Sequence, residues 1–211
     1  MGKSSAGQME AVQAEISCKH SLRPGPAELS TGVAMIRATD VDAGTIRTGN
    51  LLRVDPAELP AERKPYLKAG EIIVVRSGAY TGDSAIVPPA LEGAVAGYDM
   101  VATVTRASPE FVAYGLLSQY VLDDQILLLT LRAAQPHLNA EELGSVVFAI
   151  PPTRQEQQRI AAYLDASCAA IDAAVAAKRR QLDTLDEIHK ATLHNAFANE
   201  SGRLSGSKML H

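Results

Sequence analysis

The chain has 211 residues and a formal net charge of −4, with 46% hydrophobic and 21% charged residues, a balance that excludes extensive disorder and collagen-like repeats. Trp is absent and aromatics make up 4%, so an aromatic base-stacking platform is not its main device, and any nucleic-acid contact must rest on a local basic patch. Cys18 and Cys168 are far apart, without metal-ligand spacing, which suits a reducing compartment and excludes a disulfide scaffold.

Residues 1–10 are small and polar, read as a flexible tail, and lack the apolar run of a secretory signal. Residues 11–152 read as a β-rich domain built of short apolar runs between turn residues. Val33–Ile36 and Leu51–Val54 are strand candidates. Gly70–Val75 is the clearest one, β-branched and bounded by glycine and by Ser77-Gly78. Ala85–Val87 stops at Pro88-Pro89, and Met100–Val104 is a further strand. Phe111–Leu122 has apolar residues at 112, 116, 117 and 121 and predicts a helix. Leu138–Leu143 predicts a turn or short helix, and Val146–Ile150 a last strand before Pro151-Pro152. The longest apolar run, Gln125–Leu131, is too short to span a bilayer, so a cytoplasmic protein with no membrane partner is expected.

The chain then changes character. From Thr153 to Ala198 there is neither Pro nor Gly, and helix formers dominate. Thr153 and Glu156 form a capping-box signal directly after the prolines. One long helix is expected over 153–199, ended by Ser201-Gly202, with a flexible tail over 200–211. About 45 residues at ~1.5 Å each make a rod too long for a body of this size to cover. Leu164, Cys168, Ile171, Val175, Lys178, Leu182 and Leu185 alternate in steps of four and three, a narrow seam that seeks another helix. The expected fold is therefore α+β, a β-rich domain followed by a helix that pairs as an antiparallel coiled coil. Residues 1–150 carry 12 Lys and Arg against 17 Asp and Glu, and residues 151–211 carry 8 against 7.

No dinucleotide fingerprint, phosphate-binding loop or metalloprotease motif is present, and no catalytic or metal-ligating set is expected. Gly82-Asp83-Ser84 with Asp186 and His189 imitates a hydrolase block, but the last two lie far along the helix. The most informative loop is Arg76-Ser77-Gly78-Ala79-Tyr80-Thr81-Gly82. Its glycines permit a tight turn, and its polar side chains suit phosphates or base edges. Arg76, Ser77, Tyr80 and Thr81 are the candidate DNA-binding residues, with Arg132 and His137 as weaker ones. Lys19, His20, Arg23, Arg47, Arg53, Arg63, Lys64 and Lys68 are further cations that would have to gather on one face.

These segments resemble the specificity subunits of type I restriction–modification systems. Gly70–Gly78 and then Ala85–Val87 is similar to the family's GDIL…RSG…AIV block, and Val33–Val41 to its PFIRIGDI strand. Leu138–Leu143, the junction Ile150–Ile160, and the helix segments Tyr163–Asp172 and Leu185–Leu193 are similar to its junction and helix. The resemblance implies a non-catalytic chain that reads one half of a bipartite double-stranded DNA target. The partners it implies are modification (methyltransferase) subunits, a restriction subunit and a second copy of this chain. It implies no cofactor of the chain's own, because S-adenosylmethionine and Mg/ATP would belong to the partner subunits. One domain and one helix make a half-length form. The acidic body leaves an alternative, an assembly or regulatory protein that uses the helix without binding DNA.

Overall fold

The computed structural model describes residues 14–17, 31–59, 65–97, 99–130 and 137–206, with side chains described between 31 and 197. The chain forms two units, residues 1–161 and 162–211. Among the described residues the first contains nine strands: β1 (Ala14–Ser17), β2 (Val33–Ile36), β3 (Val41–Asp42), β4 (Thr45–Ile46), β5 (Leu52–Val54), β6 (Ile72–Val74), β7 (Ser84–Ile86), β8 (Val95–Ala96) and β9 (Met100–Val104). They form an antiparallel sheet of order β1-β9-β6-β7, a sheet of order β5-β2-β8 in which β2 and β8 run parallel, and the β3–β4 hairpin. The helices are α1 (Pro109–Leu116), α2 (Gln119–Val121), α3 (Leu127–Thr130), α4 (Ala140–Gly144) and α5 (Arg154–Gly206).

The unbroken apolar run of β6 is explained by burial on both faces. Successive strand residues point to opposite sides, so a strand covered on both cannot alternate apolar with polar. Ile72 and Val74 pack into a core with Met100, Val112, Leu116, Ile126, Leu138 and Phe148. Ile73 and Val75 pack into a second core with Ile36, Val41, Leu67, Val87 and Val101. Each such fully buried side chain contributes roughly 1.5–3 kcal/mol. The predicted strands at 33–36, 51–54, 70–75, 85–87 and 100–104 all match observed ones within two residues.

Three expectations are corrected. The helix expected over 111–122 is broken. α1 starts at Pro109, and the chain turns at Ser118, whose hydroxyl donates to the Gly115 carbonyl at 2.7 Å and accepts from the Val121 N–H at 3.4 Å. A π turn over Leu122–Ile126 follows, so the apolar run Gln125–Leu131 is helical where it is described. The strand expected over 146–150 is reduced to a single bridge residue, Val147. The backbone of Val147 is also met by a side chain, with Gln125 donating to its carbonyl at 2.8 Å and accepting from its N–H at 2.9 Å. Finally, α5 continues through Ser201-Gly202 to Gly206. A single glycine costs a helix only about 1 kcal/mol, so it weakens this one without ending it.

Local chemistry fixes the elements that lead into the helix. Asn139 and Glu142 cap α4 reciprocally, each accepting the other's backbone N–H at 2.9 Å. At the start of α5 the Thr153 hydroxyl accepts from the Glu156 N–H at 3.2 Å, while the Glu156 carboxylate pairs with Arg159 at 3.1 Å. Gln157, 4% exposed, accepts from the Ser108 N–H at 2.7 Å and donates to the Pro151 carbonyl at 2.8 Å. Gly115 lies against Phe148 so closely that a Cβ there would come 2.7 Å from the ring Cζ.

Candidate nucleic-acid interface

The loop over 76–82 hangs from β6, the most deeply buried strand. Val75 anchors it twice, with the Val75 N–H donating to the Asp83 carbonyl and its own carbonyl accepting from the Gly82 N–H, both at 2.8 Å. Gly78 and Gly82 have φ of +92° and +93°, a region that side chains disfavour. At Gly82 a Cβ would also meet Ile126 Cγ2 at 2.8 Å. The Thr81 hydroxyl closes the turn on the Gly78 carbonyl at 2.7 Å, so Thr81 shapes the loop. The Tyr80 ring is 57% exposed.

A second segment completes the site. Ser77 and His137 form an antiparallel bridge, and the Leu138 N–H donates to the Arg76 carbonyl at 2.7 Å. This brings Arg76 and His137 together across 61 positions of sequence, with Arg76 Nη2 3.0 Å from His137 Nε2. Arg76, Ser77 and His137 therefore form one constellation, and Tyr80 and Thr81 belong to the same turn. Arg132 lies outside the described residues, as do Lys19, His20, Arg23, Arg63 and Lys64. Arg47 donates to the Thr39 carbonyl beside the β3–β4 hairpin, and Arg53 to the Gly32 carbonyl beside β2.

Two features had no signal in the sequence. Asp99, 3% exposed, accepts from the Arg76 N–H at 3.4 Å, and its Oδ2 has no hydrogen-bond partner among the described residues. Burial pushes its carboxyl up to about 6, the Arg76 N–H and charge pull it down, and the Asp40 charge adds to the rise. Asp40 is also buried, and it accepts two hydrogen bonds from the Arg37 guanidinium, at 3.0 and 3.1 Å. The second feature is a cleft of about 310 Å³ beside the turn, lined in part by Tyr80, Asp83, Leu122, Asp123 and Leu127. Its carboxylates disfavour phosphate, so the Arg76–His137 side is the part of the loop suited to an anion.

The hydrolase-like block is structural. Ser84 is fully buried, and the Asp83 carboxylate accepts from the backbone N–H groups of Ala43 and Ser84 at 3.1 and 2.9 Å. On α5 the seam is open to solvent. Ile171, Leu182 and Leu185 are 62%, 63% and 60% exposed, Cys168, Val175 and Lys178 are exposed, and Leu164 is half-buried. Lys178 donates to Gln181 at 3.3 Å. By length and composition α5 contains an 18-residue window apolar enough to cross a membrane. It is not an unbroken apolar run, because Asp165 and Asp172 interrupt its alanine-rich sequence.

The described residues thus comprise a strand-rich body with a polar glycine turn on β6, and one long helix. The chain belongs to the type I restriction modification DNA specificity domain family, whose model matches residues 46–182. Two solved chains are similar in fold. One is an HsdS subunit from Thermoanaerobacter tengcongensis, and the other comes from work on complex assembly and conformational transition of the type I R-M system. Each is 18% identical with a TM-score of 0.54, over 75% of this chain and 43% of that one. The chain thus spans less than half the length of the structures it matches. A search of curated proteins finds no match.

Proposed function

We propose that this chain is the half-length DNA-specificity subunit of a type I restriction–modification system, working as a homodimer. The observation that carries the reading is that one family model runs from Ile46 to Leu182, across most of the body and just over half of the long helix. In this reading the body recognises one half of a bipartite duplex target through Arg76, Ser77, Tyr80, Thr81, His137 and Arg132. The seam from Leu164 to Leu185 pairs antiparallel with the same seam of a second copy and carries the modification subunits, with the restriction subunit joining them. The chain itself is non-catalytic and holds no cofactor; S-adenosylmethionine and Mg/ATP act in the partner subunits. It works in the cytoplasm, since two carboxylates in the apolar window of α5 would be costly in lipid.

The division of labour follows from chemistry. Cationic and backbone donors on a fixed turn supply position through phosphate contacts, and base-edge contacts supply sequence. Two identical domains on a two-fold axis read the same half-sequence on opposite strands. The target is then an interrupted palindrome. Pairing over Leu164–Leu193 spans roughly 45 Å at ~1.5 Å per residue. Against ~34–36 Å per DNA turn, the half-site centres lie about one and a quarter turns apart on straight DNA. That offset turns the two domains toward different sides of the duplex, which favours bending or untwisting on binding.

Methylation mapping of DNA from cells expressing the system tests this directly. An asymmetric bipartite motif means pairing with a different half-subunit, and a continuous motif contradicts the divided architecture. Asp83 and Asp123 in the cleft beside the turn favour a second reading, an assembly protein that docks through α5 without touching DNA. A mobility shift on random and bipartite duplexes separates the two.

A further inference from the structure

Arginine in proteins is always protonated and has donors only. The 3.0 Å contact between Arg76 Nη2 and His137 Nε2 therefore requires the ring nitrogen to accept. An imidazole that accepts at Nε2 is neutral and carries its proton on Nδ1. The backbone holds this pairing from both sides, through the Ser77–His137 bridge and the Leu138 N–H to Arg76 carbonyl bond at 2.7 Å. On the Arg76 side, the backbone N–H is held by Asp99 at 3.4 Å. His137 itself is exposed. One side chain thus fixes the tautomer of another and leaves it an imidazole N–H at the surface.

We propose that His137, held in the Nδ1–H form by Arg76, donates that proton to a hydrogen-bond acceptor on duplex DNA, with Arg76 acting as its positioning residue. The inference rests on the DNA-specificity reading above. The acceptor is either a purine ring nitrogen in the major groove or a phosphate oxygen, both of which take a single N–H donor. The tautomer matters because the Nε2–H form would turn two donors against each other at the Arg76 contact and leave a lone pair facing the DNA acceptor.

The test has two parts, made on the full chain co-expressed with its modification subunits. Nitrogen-15 NMR of the histidine rings reports the tautomer without DNA. His137 is expected as Nδ1–H in wild type and to revert toward Nε2–H in Arg76→Ala; a wild-type Nε2–H form overturns the proposal. Binding is then measured on a randomised duplex pool. His137→Gln keeps an acceptor for Arg76 but loses the Nδ1 donor, while His137→Asn keeps a donor close to Nδ1. His137→Gln is expected to weaken binding about fivefold to tenfold, the worth of one ordinary hydrogen bond, with His137→Asn retaining most of the affinity. Loss confined to one half-site position identifies a purine, and equal loss on every sequence identifies phosphate. His137→Gln binding like wild type, or His137→Asn as weak as His137→Gln, overturns the inference. Wild-type protein that shifts no duplex at all instead sinks the DNA reading on which it rests.

Discussion

Replacing Gln157 with Leu isolates the clamp at the start of α5. Leu keeps most of the volume and all of the burial, but it leaves the Ser108 N–H and the Pro151 carbonyl without the amide that now meets them at 2.7 and 2.8 Å. Ser108 is fully buried, so water cannot readily take over that donor. A buried backbone group left unpaired costs about 1–3 kcal/mol, so two cost about 2–6 kcal/mol. The more apolar Leu offsets roughly 1 kcal/mol of this. The expected net loss is about 1–5 kcal/mol in the first unit. Native-state hydrogen exchange at the core amides of β6 and β9 reads it directly, as a rate increase of about fivefold to several thousandfold. The Ser108 amide should accelerate at least as much. Core exchange within about threefold of wild type, or an Ser108 amide that stays as protected, would refute the reasoning, because the side-chain amide would then not be what satisfies these groups.

Gly115→Ala drives a methyl into the Phe148 ring and should destabilise by about 1–3 kcal/mol in thermal unfolding, with Phe148→Leu in the same chain restoring most of the loss. An unchanged Tm would show that the ring moves aside freely. Asp99 has a folded-state pKa of about 6, above its ordinary 3.8, so the folded state binds the extra proton and stability falls as pH rises between these values. Asp99→Asn should therefore be more stable than wild type above pH 6, by about 1–3 kcal/mol, with the advantage fading toward the lower value; urea titrations at several pH values check both magnitude and direction. Ile171→Asp or Leu182→Asp should give a monomer in analytical ultracentrifugation. A wild-type chain that stays monomeric at micromolar concentration, with and without modification subunits, removes the seam from the assembly.

The sequence was legible where local chemistry decides structure. β6 is β-branched and bounded by glycines, and the long helix begins where two prolines meet a capping threonine. It was not legible where distant partners override the local pattern. Val146–Ile150 has the composition of a strand, yet only Val147 forms a bridge, and its own N–H and carbonyl are met by Gln125, 22 positions away. Phe111–Leu122 has helical spacing, but the Ser118 hydroxyl bonds to the backbone and turns the chain. The candidate site divides in the same way. Gly78 and Gly82 marked the turn, whereas the pairing of Arg76 with His137 depends on a 61-residue separation that no motif encodes. Asp99 precedes a strand and looks like any turn acid until its burial is known.

The turn on β6 divides its codons into two kinds. Gly78 and Gly82 are held by the sign of φ, and Val75 is sealed into the core below them. Ser77, Ala79 and Tyr80 lie between, and among the described residues their side chains make no hydrogen bond to the body. Substitution at these three positions leaves both cores and the strand register as they are, so selection for stability does not oppose it. Lineages can therefore diverge in the chemistry their turn presents while inheriting the same scaffold, and three codons supply that variation without a compensating change elsewhere in the gene.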